Sequence, residues 1–540
     1  MNIANSGRVN NGSPPSDYRV SQRGRTKVKE LAIKSMKLNR DLDRYVEQAL
    51  EQDRPVKIGW GRAGDERPKD GEFGVLTHLP EGAKVLCLGN LGPLVGAANR
   101  GGTLTLRGST GSMVAAFHVK GKTVVEKDVG DKAGFGMRGG EITIQGSSGS
   151  ETGSAMDGGV LLVRGHAGDY LGSRMSGGAV IVMGSVGSDP GNGMTGGRII
   201  VSGSCPPPPD GVEMRSIKKS EIKEFSKILE PMGLELNEDA LVLEPGEIIH
   251  GEDSRPECSI LEGFENISLH PNEDSLADNA ILDHYTLLVQ NDSDSEGALL
   301  EIPWLISCQT TLGSEEWDEV VAPAIVRSET RTNDLLLVGK KEFAESIDFV
   351  RNCSGLILDI TEFPGLDDSE IEAMVISMRS RMDNNAIILL RGRIDRIERV
   401  FRLVMDLELD GAVVICSTPS GSRLASSLPK IGLASKAMGI SETGKFVMLE
   451  IDFEPEAKDM LIAVASGCTA IVSPHMGGSV HSKIEVLGKE IRGWMRDIGV
   501  DRIDRIGRRN LRANDYDTAA ISGLRLVGYE RPLKMWLELG

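Results

Sequence analysis

A nineteen-residue glycine repeat is the feature that most constrains the fold of this chain. Gly-Gly pairs occur at 101–102, 139–140, 158–159, 177–178 and 196–197, separated by 38, 19, 19 and 19 residues. Gly82-Ala83 and Lys120-Gly121 take the place of the Gly-Gly pair in two further units, which gives seven units that begin at 82, 101, 120, 139, 158, 177 and 196. A fixed period of this length is typical of stacked repeat architectures, in which each unit packs only on its neighbours.

Each unit has the same internal pattern: a small pair, about five residues of strand character and a closing glycine. The closing glycines are Gly89, Gly108, Gly146, Gly165, Gly184 and Gly203, with Lys127 in the remaining unit. Glycine at such corners permits positive φ and lets neighbouring backbones approach closely. We therefore predict a right-handed single-stranded β-helix over 81–205, with parallel strands about 4.8 Å apart.

Alternation along the strands predicts which side chains point inward. The predicted inward set consists of apolar pairs such as Leu104 and Leu106 or Ile142 and Ile144. The opposite face is polar in early units but apolar in later ones, at Leu162, Ile181 and Ile200. Because a large exposed apolar face is unusual, we expect another domain or subunit to cover it.

A methionine recurs seventeen residues after the start of several units, at Met137, Met156, Met175 and Met194. Such a stripe is compatible with a soft metal or redox site, but methionine also fills gaps in apolar cores. We favour core packing, and we place His118, which has the same phase, in the core as well.

The repeat resembles the glycine-rich GXGXG domain at the C-terminus of glutamate synthase large subunits. The resemblance is carried by GNLGPLVGAANRGGTLTLRG, GGEITIQGSSGS and GGVLLVRGHAGDYLGSRMSGG, and it spans about residues 80–205. The same domain occurs in one of the subunits of formylmethanofuran dehydrogenase and in one of those of N-methylglutamate synthase. The resemblance implies a scaffold that carries no chemistry of its own.

The flanking segments divide the chain further. We predict a disordered tail over 1–27, a helix and lead-in over 28–80, and a linker or mixed region over 206–300. Beyond about residue 301, apolar strand-like runs alternate with helical stretches, which indicates a parallel α/β sheet. The runs lie at 303–309, 335–339, 355–360, 385–390, 411–416, 446–451 and 469–473. The fold class is therefore β plus α/β, with a reduced (β/α) barrel-like domain over 301–530.

This C-terminal part resembles the flavin-binding barrel of glutamate synthase, through GVDRIDRIGRRNLR and SRLASSLPKIGLASKAM. The resemblance implies an FMN site and a three-cysteine iron–sulfur cluster, but the carrying motifs are altered. The glycine-rich flavin loop reads CSTPSGSR, and the phosphate loop reads EIDFEPEA, with Glu454 and Glu456 repelling a phosphate. Cys468 alone stands where three thiolates are needed. We expect neither FMN nor an iron–sulfur cluster.

Two loops remain candidates for binding an anionic cofactor. Gly477 and Gly478 lie between a strand and a helix, where backbone N–H groups can cradle a phosphate. Gly421 and Arg423 offer a flexible backbone and a cation in the altered flavin loop. We favour an ordinary loop role for both and keep binding as the alternative. His475 and His481 flank the first loop, but no carboxylate or thiolate at ligand spacing accompanies them, and we predict neither a metal site nor a catalytic residue.

Composition restricts the setting of the protein. With 61 Lys and Arg against 79 Asp and Glu, the net charge is −18, which disfavours binding to nucleic acid or to anionic membranes. The chain lacks an eighteen-residue apolar run and an N-terminal signal segment, and its seven cysteines are scattered. We expect a cytoplasmic protein without disulfides.

These observations predict a non-catalytic scaffold or regulatory subunit related to glutamate synthase. Its partners would be an amidotransferase or synthase-like subunit, or further copies of the chain. One alternative is an active oxidoreductase that binds flavin in a modified way. Another is a counterpart of the GXGXG-containing subunit of formylmethanofuran dehydrogenase.

Overall fold

A computed structural model describes most of the chain and divides it into a stacked parallel sheet and a closed barrel. It describes residues 22–61, 67–246, 258–272, 280–282, 286–289, 298–308, 323–363, 365–440, 442–477, 479–529 and 531. The first element is helix α1 (Gln22–Glu51), which begins six residues before the predicted start at 28. Residues 1–21 of the predicted tail lie outside the described ranges.

The repeat forms one large sheet in which each strand pairs in parallel with the strand of the next unit. Val85 lies opposite Leu104, Leu104 opposite Thr123 and Thr123 opposite Ile142, so the register advances by one unit per strand. The strands are β1 (Val56–Ile58), β2 (Lys84–Leu88), β3 (Arg100–Arg107), β4 (Lys120–Val125), β5 (Glu141–Ile144), β6 (Asp157–Val163), β7 (Ser176–Val182) and β8 (Gly196–Val201). A second parallel ladder joins Thr110, Val129, Ser148, Ala167 and Val186.

The predicted inward-facing residues are confirmed as a continuous core. Leu104, Ile142, Leu161 and Val180 are fully buried in one apolar cluster. The methionine stripe belongs to the same cluster, and each of its four members is at most 1% exposed. His118 is also buried, and burial lowers its pKa to about 4.

Side chains just after the closing glycines add a further ladder at the corners. Asn90 Oδ1 accepts a hydrogen bond from Ser109 N at 3.2 Å, and Asp128 Oδ1 accepts one from Ser147 N at 2.7 Å. His166 Nδ1 likewise accepts from Ser185 N at 2.9 Å. Each bond satisfies a backbone N–H that the turn leaves without a backbone partner.

The closing glycines are required mainly by the spacing between units. A Cβ on Gly108 would lie 1.7 Å from the carbonyl oxygen of Gly89 in the previous unit, although Gly108 does not have a positive φ. Gly134, by contrast, has a φ of 68°. Only some of the glycine rows therefore serve backbone conformation, and others leave room for the adjacent backbone.

The apolar outer face of the later units is covered by the segment that follows them. This segment consists of β9 (Val212–Ser216), helix α2 (Lys219–Leu229) and β10 (Leu241–Pro245). Strand β10 pairs antiparallel with β8, and Phe225 and Leu229 of α2 pack in one cluster with Leu162, Ile181 and Ile200. The expected cover is thus the chain's own residues 212–245, and this face is not available to a second subunit.

Short strands connect this segment to the barrel: β11 (Ile260–Glu262), β12 (Ile267–Leu269), β13 (Thr286–Val289) and β14 (Ala298–Leu300). Eight parallel strands then close the barrel, so the expected reduction in strand number is wrong. The strand that sequence analysis missed is only three residues long, at 324–326. The elements are β15 (Trp304–Ser307), β16 (Ala324–Val326), β17 (Leu335–Val338), β18 (Gly355–Asp359), α3 (Asp368–Arg379), β19 (Ile387–Arg393), α4 (Ile397–Asp406), β20 (Gly411–Ile415), β21 (Ser422–Arg423), α5 (Ser427–Met438), β22 (Phe446–Glu450), α6 (Ala457–Ala465), β23 (Ala470–Pro474), α7 (Val480–Asp497), β24 (Leu511–Ala513), α8 (Tyr516–Ser522) and β25 (Arg525–Leu526).

The repeat and the barrel share one hydrophobic core. Phe117 of the repeat packs against Phe343 and Phe363 of the barrel, with ring centroids 5.0 and 5.7 Å apart. Lys132 Nζ lies 2.9 Å from Glu370 Oε2 and donates to Gly365 O, and both charged side chains are almost fully buried. A buried pair of this kind fixes the relative position of the elements that carry it, because breaking it leaves an uncompensated charge.

His78 lies in the same interface and is completely buried. Its Nε2 donates to Phe343 O at 2.9 Å, and Arg381 lies nearby. Burial, together with the charge of Arg381, lowers the pKa of His78 to about 3. The imidazole is therefore neutral in the folded chain at neutral pH.

We expect Gly108→Ala to destabilise the protein by about 3 kcal/mol or more, because the new methyl group collides with backbone atoms that cannot move independently. Urea unfolding followed by circular dichroism measures the change. The control Gly432→Ala places the same methyl group in open space on α5, with no atom within 4 Å, and should be neutral or slightly stabilising. Equal stability of the two variants would contradict the close-packed stack.

We expect acid to destabilise the fold in part through His78. Below pH 6.5, His78 becomes protonated in the unfolded chain. In the folded chain its pKa is about 3, so it stays neutral until the pH approaches that value. Stability should therefore fall by about 1.4 kcal/mol per pH unit below 6.5 on account of this residue. Unfolding curves of His78→Gln should lack this increment, whereas the exposed control His481→Gln should retain it. A similar pH dependence in both variants would refute this assignment.

Candidate functional site

The carboxyl ends of the barrel strands surround a cavity of about 540 Å³. Strand ends supply Ser307, Arg391, Glu450 and Pro474, and Cys258 enters from the segment before β11. The carboxyl end of a parallel barrel is where this architecture places its ligands, because loops of several strands converge there. This cavity is therefore the candidate site.

Arg391 lines the cavity and is held between two carboxylates. Arg391 Nε and Nη2 each donate to the carboxylate of Glu450 at 2.6 Å, and Nη1 donates to Asp359. Asp359 is fully buried and also accepts from Thr361 N at 3.0 Å. Burial lowers the pKa of Arg391, but the hydrogen bonds and charges of Glu450 and Asp359 outweigh burial and raise it. The guanidinium is fully charged, and each of its three nitrogens already donates to a carboxylate.

A second network holds the loop after β22. Glu454 accepts from His475 Nδ1 at 3.1 Å and pairs with Lys483 on α7. Burial raises the pKa of Glu454, but these two partners more than offset burial and lower it. His475 also lies 6.3 Å from the ring of Trp304, whose Nε1 donates to Ser473 Oγ. The loop at 451–456 is thus held by contacts within the chain.

Two cysteines line the cavity, but their environments differ. Cys258 is exposed, and its sulfur accepts from Arg393 Nη1 at 3.5 Å. Burial and the charge of Asp334 raise the pKa of Cys308 to about 12, so that thiol is protonated at neutral pH. A protonated thiol is a poor nucleophile, so Cys308 lacks the activation that catalytic cysteines show.

Of the predicted binding residues, Gly421 and Arg423 lie beside the cavity in a small sheet. Gly421 has a φ of 78°, and a Cβ there would meet Leu261 at 2.6 Å. Arg423 belongs to β21, which pairs with β11, and its Nε lies 2.9 Å from Glu262 Oε2. Both residues thus help to attach β11 to the barrel, and the prediction that they bind a cofactor stays a prediction.

Gly477 follows Pro474, His475 and Met476, which line the cavity, and has a φ of 116° with open space around it. Gly478 lies outside the described residues. His481 is exposed and lies 3.7 Å from Glu485 on α7, away from His475 and Glu454. Within the described ranges, no group of three potential ligand residues could hold a metal ion.

The network around Arg391 is not among the candidate sites that the sequence indicated. Asp359 is 32 residues before it and Glu450 is 59 residues after it, so no local spacing marks the network. The shared signal is positional: each residue ends, or nearly ends, a buried strand. Cys258 carried no such signal, because it comes from outside the barrel.

Comparison with known proteins places the repeat more clearly than the barrel. Residues 43–231, roughly a third of the chain, match the family model described as the GXGXG motif. No curated protein matches the chain. Among the described residues, none of the helices has the length and apolar character needed to cross a bilayer.

Similar solved structures include the formyltransferase/hydrolase complex from Methylorubrum extorquens with methylofuran, at 27% identity and a TM-score of 0.24, covering 27% of this chain and 67% of that one. The match to a flavocytochrome b2 mutant covers 51% of this chain and 85% of the flavocytochrome chain, at 15% identity and a TM-score of 0.36. An (S)-mandelate dehydrogenase chimera covers 46% and 88%, at 14% identity and a TM-score of 0.31. Scores this low carry no argument about function.

We expect Arg391→Leu to cost about 3 kcal/mol of stability, because it leaves Asp359 buried without its charged partner. The control Arg505→Leu removes an exposed arginine, 2.8 Å from Asp501, and should cost less than about 1 kcal/mol. Chemical denaturation of both variants gives the comparison. A small effect at Arg391 would show that the clamp does not hold the barrel mouth.

Proposed function

We propose that this chain is a non-catalytic scaffold or regulatory subunit related to glutamate synthase. In this proposal the repeat winds as a right-handed single-stranded β-helix, and the attached barrel does not bind FMN. The protein would act by holding other subunits of a synthase- or amidotransferase-type assembly. The observation that carries the proposal is the set of paired carboxylates at the barrel mouth.

The mouth does not fit a phosphorylated flavin. A phosphate site needs free backbone N–H groups or cations, yet the loop after β22 presents Asp452, Glu454 and Glu456. Glu454 already forms an ion pair with Lys483, the nearby cation on α7. Arg391 is already paired with Glu450 and Asp359, so two carboxylates neutralise the charge that it could offer to a phosphate.

The union of repeat and barrel also supports a structural role. Among the described residues, three ion pairs join the two parts in addition to the shared core: Arg100 with Asp348, Lys132 with Glu370, and Arg138 with Glu345. The buried pair resists sliding of the repeat over the barrel. The exposed pairs contribute little free energy but help to fix the relative position of the two parts. A rigid body of this kind suits a scaffold that presents fixed surfaces.

We expect the full-length protein to purify without flavin and to gain none on incubation with FMN. Absorption in the visible region and fluorescence of acid-released flavin measure the content. Isothermal titration with FMN tests binding directly, with a flavin-depleted glutamate synthase as the positive control. One flavin per chain would overturn the flavin-free proposal and favour the oxidoreductase alternative.

The scaffold role itself requires partners. Affinity purification of the tagged chain from its native cells, followed by mass spectrometry, should recover synthase- or amidotransferase-type subunits in fixed proportion. Size-exclusion chromatography with light scattering distinguishes such an assembly from a homo-oligomer. A lone monomer in both experiments would contradict the proposal.

A further inference from the structure

A basic groove runs along the first edge of the large sheet, away from the barrel mouth. It encloses about 760 Å³ between helix α1 and strand β1. All three residues of β1 line it, and β1 is the terminal strand of the sheet, paired with β2 on one side only. Among the described strands, none covers the other side of β1.

The charge of the groove is opposite to that of the whole chain. Lys34, Lys37, Arg54, Lys57 and Arg67 line it, in a protein whose net charge is −18. Within the described residues, no carboxylate lies within ion-pair distance of any of these five cations. Of the two acids in the lining, Asp41 pairs with Arg44, and Glu72 accepts from Lys69 N at 2.9 Å and lies close enough to Lys34 to feel its charge.

The floor of the groove is apolar. Leu42 and Ile58 are buried in the core of the repeat, and Leu38 and Val56 pack against that core while also lining the groove. A guest strand has two faces, so alternate apolar side chains could contact this floor while the others reach the lysines. Tyr45 is 45% exposed at the rim.

We propose that this groove binds an extended acidic segment of a partner protein, which adds a strand to the free edge of β1. Main-chain hydrogen bonds to an exposed sheet edge give such complexes their affinity, and side-chain pockets give them specificity. With three residues, β1 offers about 10 Å of edge. The guest's acidic side chains would neutralise Lys34, Lys37 and Lys57.

A second copy of the chain fits the groove less well than an acidic partner does. Pairing two β1 edges would bring ten cations together, and like charges at such an interface cost affinity. Pro55 and Lys57 are also the residues with which natural sheet edges resist pairing with themselves. The groove therefore discriminates between a copy of itself and an acidic strand.

The test uses the full-length protein and fluorescein-labelled heptapeptides read by fluorescence anisotropy. The probe alternates glutamate and valine, and two matched peptides replace glutamate by glutamine or by lysine. We expect micromolar binding of the acidic peptide alone, weakening as ionic strength rises from roughly 0.05 M to 0.5 M. Absence of binding by the acidic peptide, or equal binding of all three, would overturn the proposal.

Two matched charge reversals locate the site. Lys37→Glu with Lys57→Glu should weaken binding by at least about tenfold. Lys122→Glu with Lys219→Glu makes the same net change at exposed residues elsewhere and should leave binding within roughly twofold. Circular dichroism verifies that both variants are folded. Equal losses in the two variants would show that binding follows overall charge and not the groove.

An N-methylated version of the acidic peptide tests strand addition itself. Methylation of alternate amides on one edge should abolish binding, because it removes the main-chain donors while keeping every charge. Undiminished binding would overturn strand addition. A dimer in light scattering that Lys37→Glu with Lys57→Glu dissociates would assign the groove to a second copy. None of these outcomes depends on whether the barrel binds flavin.

Discussion

Close contact between bare backbones of successive repeat units is the constraint on which this structure depends. A methyl group on Gly108 would nearly coincide with Gly89 O, and close contacts recur at Gly146, Gly165, Gly184 and Gly203. With no side chains in the way, the units stack at the spacing of hydrogen-bonded strands, and the interior leucines, isoleucines and methionines form an unbroken column. Corner side chains such as Asn90 and Asp128 then satisfy N–H groups that this tight stacking leaves over.

The same stack determines where the barrel interface and the groove beside β1 lie. Phe117 and Lys132 project from its turns into the barrel interface. The regular spacing of the turns therefore sets where these contacts with the barrel are made. The barrel mouth is held in turn by charge, through Arg391 and the two carboxylates that flank it. The groove beside β1 exists because the sheet must have a first strand, and helix α1 lines that end without pairing with it. The interface and the groove therefore follow from one repeating geometry.

The repeat was predictable because its pattern recurs in every unit, so Ile142 or Val180 could be placed in the core by alternation alone. The barrel was less so. Strand β16 has only three residues, too few for a hydrophobic period, and without it the sequence indicated a reduced barrel. The partners of Arg391 come from distant strands, and no spacing in the sequence links them. The apolar face at Ile181 was recognised, but the sequence did not show that α2 folds back to cover it.

Repeat proteins commonly gain or lose units in evolution, since each unit touches only its neighbours. The ion pairs of Arg100, Lys132 and Arg138 with the barrel remove that freedom here. An extra turn inserted between residues 100 and 138 would displace one contact from the next by about 4.8 Å, and the barrel has no matching repeat with which to follow. The contacts with the barrel therefore fix the number of turns in that stretch. An insertion nearer β7 and β8 would in turn separate those strands from the cover that α2 and β10 form over them.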